Sequence, residues 1–594
     1  MNQYLFSVSI GPVQDFIAAA RRTRDLFFGS AVLSELSKAG ALAVFEQPAS
    51  QLIFPAPESH TQLQPNSSFS VANKLLFLAQ SDDPAQLSEQ IEQAVRDRWE
   101  MIANDVLLKV QKAIHLDLWQ DQVSDAIEFY CAWVPCENDS QYTQARTDVE
   151  RLLAGRKALR DFQPAQGRFG VPKSSLDGAR ESVLRDVNAL PDFIRKQARL
   201  KDQEQLDAIG LIKRLGEVGG RREYPSISRI AADGWVRGLS QEAHQQLQQL
   251  QELCQRFNRD GLISQLKADQ FAAFPLEGAV LYEQRLHNEF KEQGESAQAL
   301  AAPLLDQLRQ VYRTARSQPS PYVAVLLADG DKMGVTLSAL TSPEAHQKFS
   351  QQLSLFADRD ARAIVEQHQG LLVYSGGDDV LAFLPVDTCL AAAKALHDTF
   401  GERMRHTAPN PNEAPTLSVG IAIGHSMDPM EDLLDRARTA EKKAKDPDRD
   451  GLAVLLQTRS GGEPILLRSQ WQAAANDDKP NIGTLDQRLQ QWAYLHLNEG
   501  LSDKAAYDFR QLASFYKHWE NFPHAAAEED AKRLLKRKRN RHQQALDETT
   551  SQLLQGHFKT AQDIDRVAHE LIFARHLAQA YQLAGYKPGK ENDC

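Results

Sequence analysis

Residues 374–380 read Tyr374-Ser375-Gly376-Gly377-Asp378-Asp379-Val380, two glycines and two aspartates between short apolar runs. Glycine supplies the positive φ of a tight hairpin turn, so the pattern predicts a β-hairpin with carboxylates at its tip. Without a Cβ, glycine also lets a bulky ligand approach the backbone. Adjacent carboxylates repel each other unless a cation lies beside them. The turn therefore points to a divalent metal and to phosphate chemistry. A second oxygen source stands upstream, where the apolar run Tyr322 to Ala328 ends in Asp329-Gly330-Asp331-Lys332. Together Asp329, Asp331, Asp378 and Asp379 form an oxygen-rich set that suits magnesium or manganese. Two such ions can activate an attacking hydroxyl and stabilise a leaving pyrophosphate. Either motif alone is ordinary turn chemistry. Both at the ends of strands joined by one helical crossover make a site.

The elements around these residues must bring them to one rim. Tyr322 to Ala328 reads as a fully buried strand. Residues 342–369 carry helical spacing at Phe349, Leu353, Phe356, Ala361, Ile364 and Val365. A right-handed crossover would then set the strand and the hairpin side by side. A helix over 387–405, a Pro/Asn-rich loop over 408–415, a strand over 417–424, a helix over 429–445 and a last strand over 452–457 complete a unit spanning 304–462.

An earlier unit, 1–155, has a similar order. Its strands are predicted over 4–10, 52–54, 74–79 and 127–134. Its helices are predicted over 13–26, ending near Gly29, then over 30–45 and 84–113. This β-α-β-β-α-β order is that of a ferredoxin-like palm, and the repeat raises an internal duplication. Residues 156–303 read as a helix-rich middle domain with a glycine break at 216–220. Within it, 241–257 is an amphipathic surface helix. Residues 463–594 read as a C-terminal helical bundle. The expected fold class is thus α/β plus α.

Composition sets the frame. The 594 residues suggest about four domains. With 42% hydrophobic and 25% charged residues, this is an ordinary globular composition. No 18-residue apolar run predicts a membrane span, and residues 1–16 lack the pattern of a signal peptide. A cytoplasmic location is expected, and five cysteines fit a reducing compartment. A net charge of −11 gives no global nucleic-acid signature, so any RNA contact is local or shared with partner subunits. Cys131 and Cys136 have no second pair to complete a zinc site. The basic run 532–541 reads as a solvated helix face beside Glu528-Glu529-Asp530, with an RNA- or partner-facing patch as the alternative.

The stretch Ser9-Ile10-Gly11-Pro12-Val13-Gln14-Asp15-Phe16-Ile17, followed by Ala20-Arg21-Arg22-Thr23-Arg24-Asp25-Leu26, Gly29-Ser30 and Leu33-Ser34-Glu35-Leu36, resembles the start of one family. That family is the large subunit of type III-B (Cmr) CRISPR effector complexes. Asp207 to Arg214 and Pro225 to Ala231 are similar to it too, and Asp329 and Gly376 to Asp379 stand where its motifs stand. The resemblance covers about residues 1–460. It implies two facing palm domains, a helical middle domain and a C-terminal bundle. It also implies antiviral defence through an RNA-activated nucleotidyltransferase, which makes an adenylate second messenger. Usually the product is cyclic oligoadenylate from ATP; some members join ATP to S-adenosylmethionine instead. Its implied partners are the other Cmr subunits, guide CRISPR RNA and target RNA.

The same resemblance implies Asp329, Asp378 and Asp379 as catalytic, with Asp331 a further metal ligand. It implies Gly330, Ser375, Gly376, Gly377 and Lys445 as nucleotide-binding, Lys445 matching a triphosphate-contacting lysine of related cyclase palms. A lysine favoured by the helix C-terminal dipole is the other reading of Lys445. Two departures stand out. Many members begin with an HD nuclease domain, whereas here the palm strand starts at Tyr4. His397-Asp398 lacks the convergent ligands of a nuclease metal site. Many also carry a zinc-binding cysteine cluster, and residues 172–181 occupy part of that place without cysteine. The first palm lacks the acidic hairpin and is expected to hold a substrate nucleotide or to act as a support. A diguanylate cyclase and a non-catalytic scaffold are the rival readings. The first fits poorly, because Val380 follows the turn and no sensor domain precedes it.

Overall fold

The computed structural model describes residues 2–159, 168–186, 189–200, 203–218, 224–257, 263, 265–266, 269–291, 295–472, 483–498, 501–502, 504–519, 521–537, 554 and 558–586. It opens with strand β1 (Asn2–Gly11), helices α1 (Gln14–Ala18) and α2 (Thr23–Phe45), and strands β2 (Ser50–Phe54) and β3 (Lys74–Ser81). Helices α3 (Pro84–Val110) and α4 (Leu116–Ser124), strand β4 (Glu128–Pro135) and helix α5 (Tyr142–Ala158) follow. The four strands form an antiparallel sheet in the order β2-β3-β1-β4.

The expected helix boundary near Gly29 is corrected. One helix runs unbroken from Thr23 to Phe45, and the break lies at residues 19–22. The Asp25 carboxylate accepts the backbone N–H groups of Arg21 and Arg22, which starts the helix there. Gly29 lies inside the helix and packs toward Ile17, where a Cβ would stand 3.4 Å from the Ile17 Cα. Helix α2 is also long and apolar enough to cross a bilayer, but 67% of its most apolar window is buried inside the protein. It serves as a core helix.

Between the sheets lie α6 (Asp192–Ala198), α7 (Ala208–Leu215), α8 (Ile227–Arg237), α9 (Gln241–Phe257), α10 (Glu283–Lys291) and α11 (Glu295–Ala315). Ala243, Leu247, Leu250 and Cys254 bury one face of α9, as its leucine spacing predicts. Every residue of α7 is buried, Lys213 and Arg214 included. Arg214 pairs with Asp25 and with Glu204, the latter at 3.0 Å, while Lys213 Nζ donates to the carbonyls of Phe16 and Ala19. The two stretches that carried the family resemblance, 20–26 and 207–214, thus meet in one buried charged junction.

The second sheet begins at β5 (Tyr322–Gly330), followed by α12 (Met333–Ala339), α13 (Pro343–Leu355) and α14 (Ala361–Gln367). A π-helical turn over Phe356–Asp360 joins α13 to α14. Then come β6 (Leu371–Ser375), β7 (Val380–Leu384), α15 (Cys389–Arg405), β8 (Leu417–His425), α16 (Met430–Lys445), β9 (Gly451–Leu456) and β10 (Ile465–Gln470). The order is β10-β9-β8-β5-β7-β6, so β6-β7-β5-β8 repeats the order of the first sheet. Strand β7 lies between β5 and β6, antiparallel to both, so the first hairpin strand is not beside β5 as expected. Leu326 and Ala328 face one core, Val323 and Val325 the other, which explains the continuous apolar run of β5.

Strand β10 corrects the expected helical tail. Ile465 and Leu467 alternate inward and Leu466 outward, and the segment pairs with β9 as an edge strand. Helix α11 likewise crosses the expected boundary at 303. The tail contains α17 (Leu485–Leu497), α18 (Ala505–Tyr516), α19 (His524–Arg537) and α20 (Ala561–Leu583). Glu570 holds it together, accepting from Arg488 at 2.8 Å and from Trp492 Nε1 at 3.1 Å.

Candidate active site

Strand β5 ends at Asp329 and Gly330, and the β6–β7 hairpin delivers Asp378 and Asp379 to the same rim. The hairpin turn closes with the Gly376 N–H donating to the Asp379 carbonyl at 3.1 Å, and Gly377 takes φ +113°. That φ is the conformation glycine was expected to supply. Contact with Gly330 fixes the depth of the hairpin: a Cβ on residue 330 would stand 2.7 Å from the Asp378 Cβ. The other two glycines turn their Cβ positions toward protein. A Cβ on Gly376 would coincide with the Tyr374 hydroxyl, and one on Gly377 would lie 3.3 Å from Leu353. Their small size therefore serves the packing of the turn itself, a role the sequence reading missed for Tyr374.

The carboxylates crowd one another. Burial, then the charge of Asp329, raises the proton affinity of Asp378. Burial raises Asp379 further, followed by a hydrogen bond with Asp329 and the charges of both neighbours. Tyr374 is also pushed up, by burial and then by Asp379 and Asp378. Two carboxyl groups that resist ionising beside Asp329 form a place for a cation.

Lys445 supplies one positive charge. It stands at the end of α16, and its Nζ pairs with Asp329 and, at 2.6 Å, with Glu441. Burial alone would lower its proton affinity, but the bonds to Asp329 and Glu441 outweigh that and hold it above the ordinary lysine value. Two glycines bring α16 close enough to place it. A Cβ on Gly420 of β8 would lie 2.1 Å from the Glu441 nitrogen, and one on Gly451 of β9 would lie 2.2 Å from the Ala444 carbonyl oxygen. Gly420 was legible as a glycine inside a strand, the mark of a close backbone approach.

Asp331 is placed differently from the other three. Its side chain is buried, and its oxygens accept from the Thr416 and Ser418 hydroxyls at 2.8–2.9 Å and from the Asp450 N–H at 3.0 Å. With both oxygens engaged, it ties the end of β5 to β8 and to the start of β9. Thr416 and Ser418 had no sequence signal beyond their place at the start of β8.

Ser375 lies at the edge of the second unit. Its carbonyl accepts from the Ser70 hydroxyl at 3.1 Å. Its own hydroxyl is buried and has no hydrogen-bond partner. A cavity of about 90 Å³ lies there between α2 and β6, lined by serines including Ser30, Ser34 and Ser70, with Glu35, Lys38 and Arg362.

The donor set fits magnesium or manganese: hard carboxylate oxygens, too many negative charges for their setting, and a lysine already drawn to one of them. Among the described residues, no three His, Cys, Asp or Glu side chains are arranged as a complete metal cage. Magnesium commonly takes only one or two carboxylates, with substrate phosphates and water completing the shell.

Other sequence candidates lie elsewhere. His397 bonds to Asp398 at 3.0 Å and to Asp450 at 2.8 Å and stacks on Trp471, all as part of the packing of α15. Cys131 packs on the core beneath β1–β4, whereas Cys136 packs on the core beside α5, so the two do not share a face. Residues 172–181 form a small loop closed by Lys173 and Glu181 at 2.7 Å. In the basic run, Lys532 pairs with Glu528 and Arg533 with Asp530. Lys538, Arg539 and Arg541 lie outside the described residues.

Comparisons with known proteins bear on the family and the fold. Residues 322–453 match the family model "Cas10/Cmr2, second palm domain", and residues 5–104 match "CRISPR-associated protein Cmr2, N-terminal". The CRISPR system Cmr subunit Cmr2 of Pyrococcus furiosus is 33% identical over 213 residues, 31% of this chain and 24% of that protein. The chain thus matches about a quarter of the length of that relative. Among solved structures, the apo state of a type III-B Cmr-beta complex contains a chain with TM-score 0.65 and 12% identity, covering 98% of this chain and 82% of that one. The same type of complex bound to cognate target RNA gives TM-score 0.60 and 13% identity, covering 93% and 80%. At these identities the structures show a shared fold.

Proposed function

We propose that the chain, whose residues 5–104 and 322–453 match Cmr2 family models, is a metal-dependent adenylyl transferase of that family making an adenylate second messenger. One observation carries the reading: Asp329, Asp378 and Asp379 converge on Gly330 while Lys445 reaches the same rim. In this reading Asp329, Asp378 and Asp379 hold magnesium or manganese, which would neutralise the triphosphate of ATP and the charge developing on pyrophosphate. Lys445 leaves Glu441 and Asp329 to contact the triphosphate. Asp331 positions β5. Gly330, Gly376 and Gly377 hold in place the hairpin that carries the carboxylates, with Ser375 at its base.

The acceptor nucleotide is held opposite the catalytic palm, on the side of the first palm. A ribose hydroxyl attacks the α-phosphorus in line, loses its proton, forms the new O–P bond and releases pyrophosphate. Orientation and charge neutralisation supply the rate.

The chain divides, in this proposal, into a supporting palm, a helical middle domain, a catalytic palm extended to β10, and a C-terminal helical bundle. It works in the cytoplasm with other Cmr subunits, guide RNA and target RNA, and its product is cyclic oligoadenylate. The test is to assemble that complex with magnesium or manganese and ATP, with and without S-adenosylmethionine, and to separate the products by chromatography. A metal-dependent adenylate product is expected with matching target RNA. No such product in any mixture would leave the scaffold reading instead.

A further inference from the structure

One cavity lies away from the carboxylates. It encloses about 620 Å³ and is lined by Arg21, Arg22, Arg24, Arg199, Arg214 and Arg285. The described lining holds three carboxylates, of which Glu204 pairs with Arg214, Glu277 with Arg199 and Asp428 with Arg436, and Asp25 pairs with Arg214 from behind. The rest of the chain is acidic, with a net charge of −11, so this concave concentration of positive charge is local.

Position separates the cavity from the catalytic rim. Its wall includes Ser426 and Asp428, just past the end of β8, where the Ser426 N–H donates to the Pro321 carbonyl. Asp329 and Gly330 lie at the other end of β5, which has 9 residues. At about 3.3 Å per residue the two sites stand roughly 25–30 Å apart.

The wall is built for anions. Arg22 donates to the Arg199 carbonyl at 2.8 Å and Arg285 to the Ser228 hydroxyl at 2.7 Å, so both are held in place by neutral acceptors. Burial, and after it the charges of Arg214 and Arg199, lower the proton affinity of Arg22, as expected where guanidinium groups crowd. Helices α2, α8 and α16 begin at this wall, with Thr23, Ile227 and Met430 in the lining, and add their positive N-terminal ends. Tyr224 adds an aromatic surface, its ring 4.6 Å from that of Phe27. Guanidinium forks match phosphate oxygens bidentately, and an aromatic face suits a base.

We propose that this arginine-lined cavity is a second ligand site, which binds a nucleoside polyphosphate independently of the carboxylate site. Binding there ties together segments from α2, the middle helices and the β8–α16 connection. The ligand would thereby brace the first sheet against the second.

The test uses the full chain in EDTA, where metal-dependent binding at the carboxylates is silent. ATP and inorganic tripolyphosphate are titrated by calorimetry. Both are expected to bind, and Arg21→Ala combined with Arg285→Ala is expected to weaken binding at least tenfold. The Asp378→Ala, Asp379→Ala variant is expected to bind as the unchanged protein does. Arg21 is exposed, so Arg21→Glu alone gives a variant whose unfolding temperature should be unchanged while its binding is weakened. The proposal is overturned if neither ligand binds, if the arginine variants bind normally, or if the carboxylate variant loses binding. Binding of single-stranded RNA without binding of ATP or tripolyphosphate also overturns it, in favour of an RNA surface.

Discussion

Gly330 lies directly against Asp378, so close that a Cβ on residue 330 would stand 2.7 Å from the Asp378 Cβ. Neither Cβ can swing away as a long side chain could, so Gly330→Ala must push the hairpin off the end of β5. Product formation is expected to fall by about 100-fold, the cost of a small misplacement of reacting groups. Circular dichroism and the unfolding temperature should change little. Full activity in Gly330→Ala would show that the hairpin position does not matter.

Lys445 is placed by Gly420 as well as by its own helix. Gly420→Ala forces α16 away from β8, because the added Cβ would meet the Glu441 nitrogen at 2.1 Å. The variant should lose activity in the same direction as Lys445→Ala, which removes the charge outright. For Lys445→Ala the expected loss in kcat/KM for ATP is on the order of 100-fold. Lys445→Arg, which keeps the charge, should recover part of it. Steady-state kinetics on the assembled complex reads all three.

The crowded carboxylates make a pH prediction for the metal-free chain. Asp378 and Asp379 hold their protons more tightly folded than unfolded. Between the unfolded value, about 3.9, and the raised folded values, the folded state binds more protons, so stability falls as pH rises through that window. In EDTA at neutral pH, Asp379→Asn should therefore raise the unfolding temperature by about 1–3 °C, and the gain should vanish toward pH 4. Magnesium or manganese should stabilise the unchanged protein more than Asp379→Asn, and its affinity should rise with pH as it displaces those protons. Thermal scans with and without metal check both signs.

Asp25 and Arg214 are fully buried and paired, with Glu204 on the other side of the guanidinium. Asp25→Ala leaves a buried cation short of one partner and strips the cap from α2. A cost of about 3–5 kcal/mol is expected, read from chemical denaturation. The carboxylate rim should keep its local geometry in the molecules that fold.

Much of this was legible in the sequence because it rests on backbone demands. Gly377 needs a positive φ, the β5 run is apolar at every position, and the β-α-β-β-α-β element order of each palm follows from its alternating strand and helix patterns, although not which hairpin strand pairs with β5. Asp329, Asp378 and Asp379 could be grouped because strand ends and a turn leave few ways to arrange them. Asp331 could not be separated from Asp329 by spacing alone. They lie two residues apart where β5 ends and the chain turns, and only the Thr416 and Ser418 hydroxyls decide where Asp331 goes. Strand β10 was missed because the short run at 465–467 is followed by polar residues, and an edge strand needs only one apolar face. The break before α2 was hidden because Asp25 caps backward onto Arg21 and Arg22 from inside the helix. Residues 20–26 and 207–214 carried the family resemblance, yet their chemistry is a buried junction that only the tertiary structure reveals.

The central claim is that Asp329, Asp378 and Asp379 form the adenylyl-transfer site. Its most direct test compares the unchanged chain with Asp378→Ala, Asp379→Ala in the assembled complex, with target RNA, ATP and manganese. Complex assembly and target-RNA binding serve as controls. The account predicts an adenylate product from the unchanged chain and its loss from the variant, with assembly and RNA binding retained. A product undiminished in the variant would contradict it.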